Sequence, residues 1–159
     1  MADNLAYKPI SGNYWPYDNN NTNIAKYGFL YDWQTAKKVC PAGWHLPSDG
    51  EWTLLTEHLG GEKVSGTKMK STSGWNNKGN GTDESGFYGF PGGYRNNKGN
   101  FYDIGGAGNW WSASEDFEWN GYGMVSYSVW ERELGNYSDN LIKMKGNKPN
   151  GFSVRCLKD

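Results

Sequence analysis

The most constraining feature of this sequence is a long stretch in which glycine and asparagine separate single aromatic residues. It runs from Gly66 to Gly108 and contains SGWNNKGNGTDESGFYGFPGGYRNNKGNFYDIGG. Glycine favours tight turns and weakens a helix at every interior position. The stretch therefore predicts no helix. Because irregular segments of this length in a compact domain commonly carry function, it also predicts functional loops.

The rest of the chain has to build a scaffold largely from aromatic side chains. The chain has 159 residues, of which 16% are aromatic, including 9 Trp and 11 Tyr. This length predicts one domain over residues 1–159, and the rings can supply much of the buried area. The net charge of −1 argues against a nucleic-acid partner. The absence of a long apolar run predicts no membrane insertion, and the start of the chain shows no signal peptide.

Two helices are predicted in the first half of the chain. Asp32 is a good N-cap, and Pro41 ends the first helix near Cys40. The core face of this helix is expected to hold Trp33, Ala36, Val39 and Cys40. Ser48 and Glu51 form a capping box that starts the second helix, and Gly60-Gly61 ends it. The core face of the second helix is expected to hold Trp52, Leu55 and Leu59.

Antiparallel strands are predicted in the last third of the chain, in NWWSASE, GMVSYSVWERE, NLIKMKG and GFSVRCLKD. Alternation in the second segment places two sets of side chains on opposite faces. We expect Val125, Tyr127 and Val129 to face inward. We expect Ser126, Ser128, Trp130 and Arg132 to face outward, with Trp130 and Tyr122 exposed. Helices early and strands late predict an α+β fold, preceded by an irregular wrap over residues 1–26.

Cys40 and Cys156 are the only two cysteines, and their separation is too large for a CxxC redox pair or a metal knuckle. They are either two buried thiols or one long-range disulfide. The richness in Trp, Tyr, Asn and Gly is typical of secreted proteins, which favours the disulfide.

Several segments together resemble the Fibrobacter succinogenes major paralogous domain: YGFLYDWQTAKKVCPAGWHLPSDGEW, GFYGFPGGYR, GNWWSASE and GFSVRC. That family is similar to C-type lectin-like folds, in which two helices pack on a small antiparallel sheet with long irregular loops. The resemblance implies that Cys40 faces Cys156 in a disulfide. The opening MADNLAY is similar to a block inside the family domain, which implies that the family's first strand is missing here.

The same fold group includes the variable proteins of diversity-generating retroelements, whose diversified segment resembles residues 115–150. This segment is rich in Tyr, Ser, Asn, Trp and Gly, a composition typical of binding surfaces. The resemblance implies a non-catalytic recognition or adhesion domain that binds a protein or glycan at a cell surface. The full-length protein would be extracellular, as a lipoprotein or on a phage particle. The ligand-binding residues are predicted to be Tyr122, Ser126, Ser128, Trp130, Arg132 and Tyr137, on a scaffold held by Trp33, Trp44, Trp52, Trp110 and Trp111.

The sequence carries no recognisable catalytic motif. His45 and His58 are the only histidines, and His45 is expected to be packed and hydrogen-bonded. The carboxylate pairs Glu115 with Asp116 and Glu131 with Glu133 are expected to be solvated surface groups. Formylglycine-generating enzymes have a related fold but need paired reactive cysteines, whereas the two cysteines of this chain are expected to be joined to each other. The chain is therefore predicted not to be an enzyme.

The alternative function is a calcium-dependent carbohydrate-binding module. The EPN or QPD tripeptide and the WND block of sugar-binding C-type lectins are absent. The segments Trp75-Asn76-Asn77 and Asp83-Glu84 could still supply oxygen ligands to calcium. No cofactor is predicted, with calcium kept as the open possibility. A structural surface module without a discrete ligand is the third alternative.

Overall fold

A five-stranded mixed sheet organises the chain. The computed structural model describes residues 3–159. The strands of this sheet are β4 (Gly92–Arg95), β5 (Phe101–Ile104), β6 (Ala107–Trp119), β7 (Met124–Gly135) and β8 (Leu141–Gly146). They lie in the order β5-β4-β6-β7-β8, with β4 and β6 parallel and the other neighbours antiparallel. Two ribbons accompany the sheet: β1 (Tyr14–Trp15) with β2 (Leu30–Tyr31), and β3 (Trp44–His45) with β9 (Leu157–Lys158).

Four short helices precede the sheet within residues 3–159: α1 (Ile24–Tyr27), α2 (Trp33–Ala36), α3 (Asp49–His58) and α4 (Glu62–Met69). The fold is therefore α+β, as predicted, with four helices in place of two. No helix in the described part of the chain is long and apolar enough to cross a bilayer.

The first predicted helix is correctly capped but shorter than expected. The Asp32 carboxylate accepts the backbone N–H of Thr35 at 2.8 Å, as an N-cap should. Helix α2 then ends at Ala36 and not near Cys40. The Lys38 N–H donates to the carbonyl of Thr35 three residues back, which tightens the chain into a turn.

The second predicted helix is confirmed, and another follows it directly. Ser48 and Glu51 form both halves of the capping box of α3. Gly60 and Gly61, with φ of 102° and 95°, turn the chain so that α4 begins at once. The prediction of no helix from Gly66 onward is wrong for the last turn of α4. There glycine permits close packing, since a Cβ at Gly66 would lie 2.4 Å from the carbonyl oxygen of Asn140.

The sheet separates two hydrophobic cores, and two neighbouring tryptophans of β6 pack in different cores. Trp111 packs with Tyr31, Phe152 and other residues of the first core. Trp110 packs on the opposite face with the second core, which includes Trp52 of α3. This division follows from the alternation of side chains along a strand. Of the predicted scaffold tryptophans, Trp33 is also buried, and Trp44 is half-buried against the first core.

A disulfide joins the segment after α2 to the end of the chain. Cys40 and Cys156 are bonded with a Cα–Cα distance of 5.8 Å, as the resemblance implied. Nearby, the Leu5 N–H donates to the carbonyl of Val154, and Trp44 pairs with Lys158. The early and final segments are therefore tied together beside the first core.

The N-terminal wrap contains more local structure than the sequence predicted. Besides β1 and α1, it has single 3₁₀ turns at Tyr17–Asn19 and Asn21–Asn23. The Asn20 side chain accepts the N–H of Thr22 at 3.0 Å, which caps the second turn. Met1 and Ala2, at the start of the predicted wrap, lie outside the described residues.

Candidate functional site

The distal part of the β6–β7 hairpin extends beyond the five-stranded sheet. The ladder between β7 and β8 ends at the pair Val129 and Gly146. Beyond this pair, β7 is hydrogen-bonded only to β6 within the described chain. We call residues 116–128 the hairpin arm. Five large apolar side chains are exposed on it: Phe117, Trp119, Tyr122, Met124 and Tyr127.

The two faces of the hairpin arm differ in chemistry. The cross-strand pairs Phe117 with Ser126 and Trp119 with Met124 place three large apolar side chains on one face. Each of these apolar side chains is more than half exposed. The other face carries Asp116 and Glu118. An unpartnered apolar row of this kind is uncommon on a soluble surface and typical of an interaction site.

The turn at the tip of the hairpin arm is held by one side chain. The Asn120 Oδ1 accepts the N–H groups of Tyr122 and Gly123, each at 3.0 Å. Gly121 has a φ of 91°, which suits glycine. Tyr122 is 98% exposed on this turn, so its predicted exposure is confirmed.

A bulge in the hairpin arm overturns part of the predicted alternation. Asp116 pairs with Ser128 and Phe117 with Ser126, which leaves Tyr127 as an extra residue. Tyr127 is therefore exposed, where an inward side chain was expected. Ser126 moves to the apolar face, where its hydroxyl lies against the Glu115 carboxylate, and Ser128 stays on the other.

Lys145 of β8 ties the polar face of the hairpin arm to the sheet. Its ammonium lies 2.8 Å from Asp116 and 2.6 Å from Glu118. The hydrogen bond from Lys145 lowers the pKa of Asp116, which also accepts the hydroxyl of Ser128 at 3.0 Å. The ionic face is thus connected to β8 through Lys145, whereas the large side chains of the apolar face are exposed within the described chain.

We call the part of the β6–β7 ladder that lies within the five-stranded sheet the base. Two residues of the predicted site, Arg132 and Trp130, lie in this base, where β7 also pairs with β8. Arg132 is buried, and its guanidinium lies 2.7 Å from the carboxylate of Asp49 at the start of α3. Burial tends to raise the pKa of Asp49, but hydrogen bonds from Lys143 and Arg132 lower it below its usual value. The prediction that Arg132 faces outward is therefore wrong. Trp130 is half-buried, with the Lys143 ammonium 3.9 Å from its ring centroid.

The predicted site residues do not form one small patch. Tyr122 precedes β7 and Tyr137 follows it, and a strand of 12 residues extends for roughly 40 Å. The Tyr137 hydroxyl donates to Glu133 at 2.7 Å, and this hydrogen bond raises the pKa of Tyr137 to about 12. Tyr137 therefore lies beside the carboxylates of β7 and contacts Glu133.

Glu131 does not lie on a solvated surface, contrary to the sequence prediction. It is 3% exposed, and burial raises its pKa to about 8. The Asn109 amide nitrogen lies 3.2 Å from Glu131 and 3.3 Å from Glu133. Alternation on β7 predicts that Glu131 and Glu133 share a face, but only the tertiary structure shows that this face is covered. Of the other predicted pair, Asp116 is buried and Glu115 is half-buried with an ion pair to Lys148.

A family model for the Fibrobacter succinogenes major domain matches residues 1–158. The chain belongs to this family. Searches of curated proteins and of solved structures returned no match. The family resemblance found in the sequence is thereby confirmed over nearly the full length.

The two histidines of this major domain are half-exposed or exposed. His45 lies 2.6 Å from Asp159 and 2.9 Å from Glu51, and these hydrogen bonds raise its pKa. It is hydrogen-bonded, as predicted, but half-exposed and not packed inside. His58 is exposed at the end of α3.

The segments considered for calcium have structural partners in this major domain. The Trp75 indole is buried and donates to Ser71 and to the carbonyl of Gly89. The Asp83 carboxylate accepts the N–H of Tyr88 at 2.7 Å. Among residues 3–159, no group of three His, Cys, Asp or Glu side chains is placed to hold a metal ion.

Sequence reasoning missed three apolar residues of the hairpin arm and one amide. Phe117 and Trp119 stand two apart in DFEW, a spacing that predicts one strand face. Met124 joins them only through the cross-strand register. Asn109 meets Glu131 and Glu133 across the same ladder, so no local sequence signal pointed to it.

Proposed function

We propose that this major domain is a non-catalytic recognition domain whose contact surface is the apolar face of the hairpin arm. The observation that carries the proposal is the exposed row of Phe117, Trp119 and Met124 on one face, opposite an ionic face. Aromatic side chains give large contact areas at a small entropy cost, because few torsions become ordered. Tyr122 and Tyr127 widen this surface. The ligand is a protein or a glycan on another cell or surface.

The proposed architecture beneath the arm is C-type lectin-like. Its support is the disulfide from the segment after α2 to the final strand region, together with α3 packed on the sheet. The early and late segments also lie side by side, as the Leu5 to Val154 hydrogen bond requires. Such a cross-linked base can carry a variable arm without losing its own core.

An array experiment tests the contact surface. The wild-type domain and the triple variant Phe117→Ser, Trp119→Ser, Met124→Ser are applied to arrays of glycans and of extracellular proteins. The matched control is Ile10→Ser, which removes a fully exposed apolar side chain outside the hairpin arm. We expect the triple variant to lose about tenfold or more in binding, as for removal of interface hot spots, and the control to lose none.

Three outcomes would overturn this assignment. Equal binding by the triple variant and the wild type would place the contact surface elsewhere. Binding to neither array would favour a structural surface module. Binding to glycans that is abolished by EDTA and unaffected by the triple variant would favour the calcium-dependent module.

We further propose that residues 115–150 are diversified by a retroelement. The hairpin arm supports this idea because its exposed side chains can change without disturbing either core. Buried residues in the same segment, such as Leu134 and Leu141, cannot. Deep sequencing of the locus in a natural population should find substitutions at Phe117, Trp119, Tyr122 and Met124 and unchanged core positions. Variation spread evenly along the chain would contradict diversification and leave the binding test unaffected.

A further inference from the structure

A small polar cavity opens on the sheet face that also carries Glu131 and Glu133. Its volume is about 220 Å³, and its lining includes Asn109, Tyr94, Met144 and Phe152. Small-molecule pockets are commonly about 300–1,000 Å³, so this cavity is sized for the end of one side chain. The same cross-strand register places the apolar row of the hairpin arm on this side of the sheet.

The lining of the cavity includes the carboxyl groups of Asp103, Glu131 and Glu133, which can accept hydrogen bonds, and also Tyr94, Asn150 and Lys145, which can donate them. The Asn109 amide nitrogen already donates to both glutamates. The Asn109 Oδ1 is buried and has no hydrogen-bond partner among residues 3–159. A buried acceptor without a donor costs free energy, typically about 1–3 kcal/mol. A ligand with several donors and a positive charge would satisfy this oxygen and the two carboxyl groups together.

The other groups around the cavity favour an organic cation. Asp103 of β5 also lines it, so three acidic residues surround the space. Lys145 of β8 lines it too, but its ammonium lies on Asp116 and Glu118. Among the walls are the rings of Tyr94 and Phe152, which attract a cation placed over their faces. Among residues 3–159, no three His, Cys, Asp or Glu side chains are placed to hold a metal ion, so the lining suits an organic cation better than calcium.

We propose that this cavity binds the positively charged end of an arginine or lysine side chain presented by a protein ligand. The guanidinium or ammonium group would lie beside Glu131 and Glu133, since the Asn109 nitrogen already occupies the position between them, and would donate to the Asn109 Oδ1. This second site goes beyond the proposed contact surface and can be tested without it.

Binding at this cavity has a defined pH dependence. Glu133 and Arg132 act on Glu131 from its own strand, and Asn109 bonds to it from β6. Asp103, Tyr94 and Lys145 complete the titratable lining of the cavity. Burial keeps Glu131 protonated until the pH approaches about 8. The bound cation requires the ionised carboxylate, so binding releases a proton. Affinity should therefore rise by up to about tenfold per pH unit below this value and become constant above it.

Titrations with small probes test the site directly. Acetyl-arginine methylamide and acetyl-lysine methylamide are added to the intact domain, and the Asn109 side-chain amide is followed by NMR. Acetyl-citrulline methylamide serves as the matched neutral probe, because it keeps the shape of arginine without its charge. We expect saturable shifts of the Asn109 signal with at least one cationic probe, tighter binding at higher pH, and no saturation with citrulline.

Two variants complete the test. Glu131→Gln keeps the shape of the protonated carboxyl and should weaken the cationic probes by about tenfold or more, as for loss of a charge-assisted hydrogen bond. Glu118→Gln removes an exposed carboxylate of the hairpin arm and should leave binding unchanged. Equal responses to arginine and citrulline, or no saturable shift with any cationic probe, would overturn the proposal. Saturation by calcium alone would overturn it in favour of a metal site.

Discussion

The two ends of the β6–β7 ladder use the same residue types for opposite purposes. At the base, Trp110 and Trp111 are fully buried, one in each core. At the arm, Trp119 is 68% exposed on a face without cover. The base has strands or helices on both faces, whereas the arm has only Lys145 on its polar face. Exposure is therefore set by what surrounds the ladder and not by the hydrophobicity of the residue.

Under the proposed function, this difference separates stability from recognition within one hairpin. The base can be changed only at a cost to folding, because its side chains fill two cores. The arm can be changed at little cost, because its apolar row touches mainly solvent. A domain built in this way can vary its contact surface on a constant support.

The largest expected effect is on the disulfide that supports the base. A double variant Cys40→Ser, Cys156→Ser should lose about 4–5 kcal/mol of unfolding free energy, since the bond closes a loop with a sequence separation of 116. Urea denaturation with and without reducing agent measures this loss. Wild-type protein under reducing conditions is the control and should match the variant. A loss below about 1 kcal/mol would mean that the two cores hold the base without the cross-link.

The next prediction compares one tryptophan from each end of the ladder. Trp111→Ala should cost about 3–5 kcal/mol, because the indole is buried against Phe152 and its N–H donates to Tyr31 at 2.6 Å. Trp119→Ala should change the unfolding free energy by no more than about 0.5 kcal/mol. Urea denaturation of both variants at one pH makes the comparison. Similar losses in the two variants would show that the arm is part of the folding core.

The smallest expected effect, taken per pH unit, is a pH dependence confined to the base. Burial raises the folded-state pKa of Glu131 to about 8, above the ordinary value of 4.5. Its contribution to stability is therefore fully present at low pH and is lost as the pH rises through about 8. The unfolding free energy should fall by up to about 1.4 kcal/mol per pH unit within the range between 4.5, where the unfolded carboxyl ionises, and about 8, where the folded one does.

The variant Glu131→Gln isolates this contribution. Subtracting its stability profile from that of the wild type removes the effect of other titrating groups, including His45 with its raised pKa. A flat difference between the two profiles would show that Glu131 is ionised and solvated in the folded state. Glu118→Gln is the matched control, because Glu118 is exposed on the arm and should leave the slope unchanged.

Local signals in the sequence predicted local structure well. The Asp32 cap, the Ser48 capping box and the glycine stop after α3 were all found at the expected residues. These features depend on side chains bonding to backbone a few residues away, so the sequence alone contains their partners. The presence of α4 was missed because Gly66 fits there against Asn140, a residue distant in the chain. The extent of α2 was missed because a turn at Lys38 ends the helix early.

The candidate site was predicted only in part for the same reason. The exposure of Tyr122 was predicted correctly, and the segment 115–150 does contain the hairpin arm. The outward direction assigned to Arg132 and the inward direction assigned to Tyr127 were wrong. Arg132 bonds to Asp49, 83 residues away in the chain, and a bulge shifts Tyr127 out of phase. Strict alternation cannot anticipate either event.

By itself, the sequence determined the α+β class, the helix caps, the family and, through the family, the pairing of Cys40 with Cys156. Only the tertiary structure decided which face of β7 is covered and where the β6–β7 ladder extends beyond the sheet. It also decided that Glu131 contacts Asn109 beside a cavity. The physical reason is the distance along the chain between the groups that interact. Caps and turns are made by neighbours in the chain, whereas burial and charge environment are made by strands and helices that meet only after folding.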